Sequence, residues 1–429
     1  MRRTRATIKL DGFPGLRRDQ EKARFYWPVE SVRPLRSALT KPPRQPLHPP
    51  SQLSRRSFVA GTFAAGLAPS ARGRAAATAG EPHILRVTKS GYDGKSPGPE
   101  LRVKRGQEFA VRVVNELDEP TAVHWHGVRL PNVMDGAPPL TQAPIAPGES
   151  FDYRFMAPDA GTFWYHSPLS SGAGLYGVFI VDETEPVDVD HDVTLMVGAD
   201  APHFEIGARP NARLRLRCLN AGRRILQLRV ADVRVFVMAT DGQPAQPFAA
   251  REGRLTLGPG NRVDVFADCT LAPGRSAPIS VEVGDRTSPI GELLCDRTDA
   301  PERAARREDP KALSSNPLPE RMDFRDAFRR EVVVEQTHSN KNDAPLFTVK
   351  RGRTVMLGVS NPRSENAFIH LHGHCFRLLD ALDDGWKPFW LDTMPLTARG
   401  KARIAFVADN PGKWLIEGLN GANAWFEVT

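Results

Sequence analysis

Two short motifs in this 429-residue sequence hold residue types that bind transition metals. Each reads His-x-His-Gly: the first contains His124 and His126, and the second contains His370 and His372. Because residues i and i+2 of a β-strand point to the same face, both imidazoles of a motif can bind metal from one side. Imidazole nitrogen is a ligand for zinc, copper, iron and nickel. The two motifs therefore predict a metal site formed by two strands.

The two motifs lie in segments that repeat at a spacing of 246 residues. Residues 103–106 and residues 349–352 both read Val-Lys-Arg-Gly, and Asn115 recurs as Asn361. A single histidine in a strand is usually a hydrogen-bonded structural residue, whereas a duplicated pair is rarely accidental. The repeat predicts two related domains whose four histidines meet across a pseudo-symmetric interface.

The elements that must position these histidines are short strands. From residue 83 onward, alternating apolar and polar runs are separated by Gly, Pro, Asn and Asp, which is typical of antiparallel β-sandwiches. No long amphipathic helix is predicted. The predicted strands comprise residues 101–103, 109–114, 150–155, 161–165, 176–181, 213–220, 262–266, 354–359 and 402–407.

A third copy of the pattern lies between the two histidine motifs. Asn220 follows Asn115 by 105 residues, but the position that corresponds to His124 is Arg229. The middle copy is therefore expected to have no metal ligands. We expect the three domains at residues 81–186, 187–298 and 321–429, with a charged, Pro-rich linker at residues 299–320.

The first 80 residues differ from the rest of the chain in charge. They carry a net charge of +12 within a total of +8, so residues 81–429 carry −4. The basic character thus belongs to a leader, and a nucleic-acid partner is not expected. Residues 1–53 contain no periodic element and are interpreted as a disordered extension or as untranslated upstream sequence.

Residues 54–80 have the order of a twin-arginine export signal. Arg55 and Arg56 precede a mildly apolar run at residues 60–68, and an Ala-rich stretch follows at residues 75–79. This predicts export to the periplasm. The apolar run is short and rich in Ala and Gly, so no stable membrane span is expected.

The sequence contains four cysteines without the spacing of a zinc site, namely Cys218, Cys269, Cys295 and Cys375. Buried free thiols are the favoured interpretation. A disulfide between Cys269 and Cys295 is the alternative, because export would place the protein in an oxidising compartment.

Several further segments resemble those of one protein family. They are Thr-Ala-Val-His-Trp-His-Gly at 121–127, Met-Asp-Gly at 134–136, Gly-Thr-Phe-Trp-Tyr-His at 161–166, Gly-Leu-Tyr-Gly at 174–177, Asn-Ala at 220–221, Asp-Gly at 241–242 and His-Leu-His-Gly-His at 370–374. Together they resemble the signatures of the three-domain multicopper oxidases, the laccase-like enzymes, over nearly all of residues 85–429. The resemblance implies an all-β fold of three cupredoxin-like Greek-key β-sandwich domains, with a copper cluster between the first and the third.

The resemblance also implies ligands for each copper ion of the cluster. The type-2 copper takes the first histidine of each motif, His124 and His370. One type-3 copper takes His126 and His166, but the position of its third ligand is Leu419.

The other type-3 copper takes His372, while Pro168 and Glu417 stand where two more histidines are expected. Glu417 corresponds to His166, since each lies five residues after a glycine in matching segments. A carboxylate binds metal, so Glu417 is expected as a sixth ligand beside five remaining histidines. Asp135 resembles an acidic residue that handles protons beside the cluster, and its alternative role is that of a turn residue before a glycine.

The type-1 copper, which accepts electrons from substrate, requires two histidines and a cysteine thiolate. The resemblance places these ligands at Ala367, Gly418 and Asn423, so none of them is present. Cys375 lies outside the ligand strand and is expected in the core. Without the thiolate, the route that delivers electrons for reduction of O₂ is missing, and ordinary laccase turnover is not expected.

Three functions are compatible with the sequence, and they leave open whether the protein is an enzyme. The favoured hypothesis is an exported copper-binding protein of this family with one or two copper ions at a reduced cluster. The second is a copper-free periplasmic scaffold that binds a protein partner, similar to the exported cell-division member of the family. The third is an active copper oxidase with an unusual electron entry.

Overall fold

The computed structural model describes residues 82–169, 174–198, 203–296, 307–333, 344–379, 386–418 and 422–429. The predicted export signal and the extension before it lie outside this part of the chain. Within these ranges the fold is all-β, as predicted, with 28 strands in six sheets and short 3₁₀ helices at Asn132–Met134 and Arg251–Gly253. Neither helix is long and apolar enough to cross a membrane.

The first domain consists of two four-stranded sheets. Its strands are β1 His83–Thr88, β2 Gly91–Tyr92, β3 Leu101–Lys104, β4 Glu108–Asn115, β5 His124–His126, β6 Ser150–Met156, β7 Gly161–His166 and β8 Tyr176–Asp182. The sheet orders are β2-β1-β4-β6 and β3-β8-β7-β5. Trp125 points away from its two neighbouring histidines and packs edge-to-face on Phe109 and Phe179. The alternation of β5 therefore buries its tryptophan in the core and directs both imidazoles out of this domain.

The second domain consists of two five-stranded sheets. Its strands are β9 His191–Val197, β10 Phe204–Ala208, β11 Arg213–Asn220, β12 Leu226–Val230, β13 Arg234–Thr240, β14 Gln243–Ala249, β15 Arg254–Leu257, β16 Arg262–Asp268, β17 Ser276–Val283 and β18 Arg286–Cys295. The sheet orders are β14-β13-β16-β11-β9 and β10-β18-β17-β12-β15. Aliphatic side chains from both sheets form its core.

The third domain also consists of two five-stranded sheets. Its strands are β19 Phe328–Val333, β20 Thr348–Val349, β21 Thr354–Ser360, β22 Ala367–Leu371, β23 Phe376–Leu379, β24 Trp386–Leu391, β25 Thr393–Leu396, β26 Lys401–Val407, β27 Gly412–Gly418 and β28 Ala422–Val428. The sheet orders are β19-β21-β26-β23-β24 and β20-β28-β27-β22-β25. Each strand predicted from the sequence is present, and none differs from its prediction by more than two residues at either end.

The strand order shows that the first and third domains are copies of one plan. The order β3-β8-β7-β5 in the first domain matches β20-β28-β27-β22 in the third. In both, the first pair is parallel and the last pair is antiparallel. The two histidine motifs thus lie on equivalent strands, β5 and β22. The architecture confirms three cupredoxin-like domains, while their boundaries remain predictions.

A buried asparagine lies at an equivalent position in all three domains, at or directly after the end of β4, β11 or β21. The side-chain amides of Asn115, Asn220 and Asn361 each donate to the carbonyl four residues later, at 2.8–2.9 Å. Each side-chain oxygen accepts from the backbone N–H two residues later, at 2.9–3.1 Å. The asparagines that recur in the three sequence segments therefore make the same local hydrogen bonds in each domain.

The second domain meets the first through buried arginines on β11. Arg217 donates to the hydroxyl of Thr162 at 2.9 Å, and this hydroxyl donates to Asp264 at 2.6 Å. Arg215 donates to the same carboxylate of Asp264 at 2.6 Å. Alternation along β11 thus places leucines in the domain core and arginines in a charged interface with the first domain.

Candidate metal centre

The histidines of β5 and those of β22 meet between the first and third domains. Nε2 of His124 lies 3.2 Å from Nε2 of His370. The ring of His126 stacks on His370 with centroids 3.6 Å apart, and the ring of His124 stacks on His372 at 3.9 Å. None of the four side chains is more than 1% exposed. The four imidazoles of the two motifs thus form one buried cluster.

Hydrogen bonds to Nδ1 determine which nitrogen of His124 and His370 carries a proton. Nδ1 of His124 lies 2.8 Å from the backbone oxygen of Asp135, and Nδ1 of His370 lies 3.0 Å from that of Asp392. Because a carbonyl oxygen only accepts, both Nδ1 atoms donate, and each Nε2 carries a lone pair in the neutral ring. Two lone pairs therefore face each other across 3.2 Å.

His126 and His166 each present a buried nitrogen to the same cluster. Nε2 of His126 lies 2.8 Å from the hydroxyl of Thr393, which donates its only proton to Asp392, so this Nε2 is a donor. Nδ1 of His126 and Nε2 of His166 have no hydrogen-bond partner among the described atoms. Strand β7 pairs with β5 so that His166 lies opposite His124. The unpartnered nitrogens belong to the two histidines predicted for one type-3 copper.

Two carboxylates flank His372. Its Nδ1 lies 2.9 Å from Oδ2 of Asp135, and its Nε2 lies 3.5 Å from Oε2 of Glu417. Burial would lower the pKa of His372, but these carboxylates raise it to about 9. Burial would likewise raise the pKa of Glu417, yet the hydrogen bond and charge of His372 lower it to about 2. The three side chains form a buried ionic group.

Glu417 occupies in the third domain the place that His166 occupies in the first. The pairing of β22 with β27 sets Glu417 opposite His370, as the pairing of β5 with β7 sets His166 opposite His124. This register agrees with the alignment of the two segments by their glycines. A carboxylate thus faces the cluster where the first domain supplies an imidazole.

Burial keeps His126, His166 and His370 neutral at neutral pH. It lowers the pKa of His370 to about 4 and that of His166 to about 3. Burial also lowers the pKa of His126 well below its usual value. Neutral imidazole is the form that binds metal, so these nitrogens are available as ligands.

The second domain reaches this site through three residues for which no role was predicted. Arg262 is wholly buried and donates to both carboxylate oxygens of Asp392, at 2.8 and 2.5 Å. The carboxylate of Asp241 accepts from the backbone N–H groups of Asp392 and Thr393, and Asn261 donates to the backbone oxygen of Thr393. Charged residues at strand ends were the available signal, namely Asp241 after β13, Arg262 at the start of β16 and Asp392 between β24 and β25, because a buried charge requires a partner.

The described positions predicted for the type-1 copper offer neither thiol nor imidazole. Ala367 begins β22, Gly418 lies opposite Ile369, and Asn423 lies opposite Glu417. Leu419, predicted beside the cluster, falls outside the described residues.

Cys375 and His374 have structural surroundings. The thiol of Cys375 accepts a hydrogen bond from Gln243 of the second domain at 3.5 Å. Nδ1 of His374 donates to the backbone oxygen of His372, and its ring packs edge-on against Trp414. All four cysteines are buried free thiols.

A cavity of about 130 Å³ borders the ionic group of His372. Its wall includes Pro168, Glu417, Asn423 and Trp425. The side chain of Glu417 is 19% exposed, whereas that of His372 is 1% exposed. Proline at position 168, where the resemblance places a histidine, therefore lines a space that a small molecule can enter.

Comparison with known proteins identifies the family that this arrangement represents. Models described as multicopper oxidase match residues 79–186 and residues 314–418. The solved structure of Lac15 from a marine microbial metagenome is 31% identical, with a TM-score of 0.72, over 81% of this chain and 100% of that chain. The chain belongs to the multicopper oxidase family.

Two proteins named as multicopper oxidases are similar over most of their length. Multicopper oxidase MmcO of Mycobacterium tuberculosis is 28% identical in an alignment of 482 positions, gaps included, that covers 85% of this chain and 93% of that protein. The multi-copper oxidase of Pseudomonas thermotolerans is 28% identical, with a TM-score of 0.72, over 81% of this chain and 99% of that chain. Membership of the multicopper oxidase family implies copper as the cofactor.

Proposed function

We propose that this multicopper oxidase binds one or two copper ions at a reduced cluster between its first and third domains and does not perform ordinary laccase turnover. The first ion would be held by His124 and His370. A second ion would lie among the remaining predicted ligands, His126, His166, His372 and Glu417.

The facing Nε2 atoms of His124 and His370 carry this proposal. Two lone pairs at 3.2 Å inside a dry site repel each other unless a cation lies between them. Two nitrogens bound to one ion at about 2.0–2.1 Å lie about 3.3 Å apart at a tetrahedral angle. The observed separation therefore fits a shared metal ion, and the nitrogen donors suit copper.

The other donors support a smaller metal content than three ions. Nε2 of His372 lies 3.5 Å from Oε2 of Glu417, and this pair would bind a metal ion only after His372 releases its Nε2 proton. Nδ1 of His126 and Nε2 of His166 form a further pair of buried donors. The resemblance implies three histidines for each type-3 copper, and two donors bind more weakly than three.

Bound copper would supply one-electron redox chemistry at this site. The protein's own residues would orient the ligands and hold protons. Backbone carbonyls hold Nδ1 of His124 and His370, and Asp135 accepts a hydrogen bond from His372. Burial would raise the pKa of Asp135, but the charge of His372 lowers it well below its usual range. Asp135 thus stays ionised and acts as a hydrogen-bond acceptor beside the proposed ligands.

Loss of ordinary laccase turnover follows from the residues at the type-1 positions. Ala367, Gly418 and Asn423 cannot replace a thiolate and two imidazoles, so substrate electrons have no type-1 copper to enter. The cavity beside Glu417 offers a different route, because a small reductant there would reach the cluster directly. If electrons enter in this way, the protein is an active copper oxidase, which is the third hypothesis from the sequence.

A copper-free scaffold that binds a protein partner is the second candidate, and one observation favours it. Both ring nitrogens of His372 are already engaged by the carboxylates of Asp135 and Glu417, so this part of the site has hydrogen-bond partners without a metal ion. In that case the histidines stabilise the domain interface, and affinity for the partner does not depend on copper.

Copper titration of a double variant tests the proposed ligands. We expect His124→Ala with His370→Ala to abolish tight copper binding, measured by metal analysis and competition with a chelator. The matched control replaces two exposed histidines, His191→Ala with His203→Ala, and should bind copper like the parent. Parent-like copper content in the first variant would refute the ligand assignment. An intense blue absorption in the parent would contradict the absence of a type-1 site.

Export through the twin-arginine route is part of the proposal and has its own test. Arg55→Lys with Arg56→Lys should leave the protein in the cytoplasm, because that route requires the paired arginines. The control Arg72→Lys with Arg74→Lys removes two later arginines and should still be exported. Cell fractionation measures both, and periplasmic protein from the first variant would contradict this route.

A further inference from the structure

We propose that Arg262 of the second domain is a positioning residue for the metal site, although that domain contributes no predicted metal ligand. The inference rests on the proposed copper binding and identifies the part of the molecule that orients the ligands. It concerns a contact between three domains rather than a ligand.

The guanidinium of Arg262 contacts all three domains. It donates to the backbone oxygen of Thr162 in the first domain at 3.2 Å and to that of Gly260 in the second at 3.0 Å. Both oxygens of Asp392 in the third domain receive a further N–H group. Because the guanidinium is planar and its side chain is wholly buried, this fork fixes the plane of the carboxylate.

Two neighbours of Arg262 hold the backbone of the same segment, residues 392–393. Asp241 accepts from both backbone N–H groups of the segment, at 3.3 and 3.2 Å. Asn261 donates to the backbone oxygen of Thr393 at 3.0 Å. The second domain therefore fixes both the backbone and the carboxylate of this segment.

The 392–393 segment in turn fixes the two rings that stack on each other. The carboxylate of Asp392 accepts the proton of the Thr393 hydroxyl at 2.8 Å. With its proton so engaged, the hydroxyl oxygen accepts from Nε2 of His126 at 2.8 Å. It also accepts at 3.1 Å from Nδ1 of His370, whose single proton is shared with the backbone oxygen of Asp392. His126 is thereby held with its proton on Nε2, which leaves Nδ1 as the metal donor.

This chain of contacts predicts what a lysine at position 262 would change. Lysine keeps the positive charge but cannot donate to both carboxylate oxygens in one plane. Asp392 would then be free to rotate, and the Thr393 hydroxyl would lose its fixed acceptor. His126 would populate both neutral tautomers, and one of them places a proton on the donor nitrogen.

The test compares Arg262→Lys with Arg217→Lys in the purified full chain. Arg217 is the matched control, because it is also buried in the second domain and also contacts Thr162, but it pairs with Asp192 and Asp264 away from the histidines. Thr393→Val is a second variant that removes the hydroxyl without removing a buried charge. Copper(II) affinity is measured by chelator competition, and the copper geometry by electron paramagnetic resonance.

We expect Arg262→Lys and Thr393→Val to weaken copper binding by about 10–100-fold, as loss of a partner of a ligand typically does, and to alter the copper spectrum. Arg217→Lys should leave affinity and spectrum unchanged even where it lowers thermal stability. Parent-like affinity and spectrum in Thr393→Val, or equal losses of affinity in both lysine variants, would overturn the positioning role.

A separate readout distinguishes this inference from the proposed copper binding. If the parent binds no copper, the proposed function fails. Nitrogen-15 NMR of the metal-free parent, labelled at histidine, then decides the positioning role by itself. A proton on Nε2 of His126 that becomes mixed in Arg262→Lys supports the inference, and a proton on Nδ1 in the parent overturns it.

Discussion

Gly127 shows how closely the residues around the site are packed. Its φ of +84° lies in the left-handed region, and a Cβ at this position would collide with the guanidinium of Arg262 and the carboxylate of Asp392. An alanine there requires a backbone conformation that costs about 1–2 kcal/mol and displacement of a buried ion pair. The glycine that ends the first histidine motif is thus required by the contact between the second and third domains.

Replacement of Gly127 should therefore affect both stability and metal binding. We expect Gly127→Ala to lower the free energy of unfolding of the metal-free protein by more than about 2 kcal/mol and to weaken copper binding. Gly106→Ala is the control, since its φ is +78° and no atom lies within 4 Å of the added Cβ. Urea denaturation measures both variants. Equal losses would show that backbone strain alone explains the effect.

The meeting of the four histidines could be predicted at the residue scale because strand alternation and duplication both appear in the sequence. His124 and His370 form a pair in any fold that brings their two strands together. The contact of Arg262 with Asp392 was not predicted, because it joins residues 130 positions apart and no periodic pattern specifies a partner. Buried charges indicate that a partner exists without identifying it.

At the scale of elements, the buried asparagines hold equivalent strand ends. Asn361 is 1% exposed, and its amide donates to the backbone oxygens of Glu365, Leu396 and Thr397. Its side-chain oxygen accepts from the backbone N–H of Arg363 at 3.1 Å. Removal of this side chain leaves several buried backbone groups without partners.

We expect Asn361→Ala to lower the free energy of unfolding by about 2–4 kcal/mol, because each unsatisfied buried group costs about 1–3 kcal/mol. Asn366→Ala is the matched control in the same loop, since Asn366 is exposed and accepts one hydrogen bond, from Ala398. Urea denaturation of the metal-free protein compares them. A similar loss of unfolding free energy in both variants would show that the buried hydrogen bonds of Asn361 do not stabilise this strand end.

Strand β11 shows where prediction of elements from this sequence stops. The alternation of arginine and leucine predicted the strand correctly. Ordinarily the arginine face of such a strand would be expected in solvent, yet Arg215 and Arg217 are each 1% exposed. The carboxylates and the hydroxyl that pair with them come from other strands, so the interface is determined by tertiary contacts that alternation does not encode.

At the scale of the whole molecule, three copies of one domain have diverged in role. The first and third contribute the histidines, and the second contributes Asp241, Asn261 and Arg262. The domain that lacks the histidine motif thus contacts the segment that positions the histidines of the other two. The separation of Nε2 of His124 and Nε2 of His370 fits the proposed metal ion, while Ala367, Gly418 and Asn423 supply none of the donors that a type-1 copper requires. The proposed function therefore separates metal binding from ordinary oxidase turnover.

Anomalous X-ray diffraction at the copper absorption edge, from crystals of the copper-loaded protein, tests the central claim most directly. We predict an anomalous peak between Nε2 of His124 and Nε2 of His370, and no copper bonded to a cysteine sulfur. No peak between these two nitrogens, or a copper ion bound by a thiolate, would contradict it.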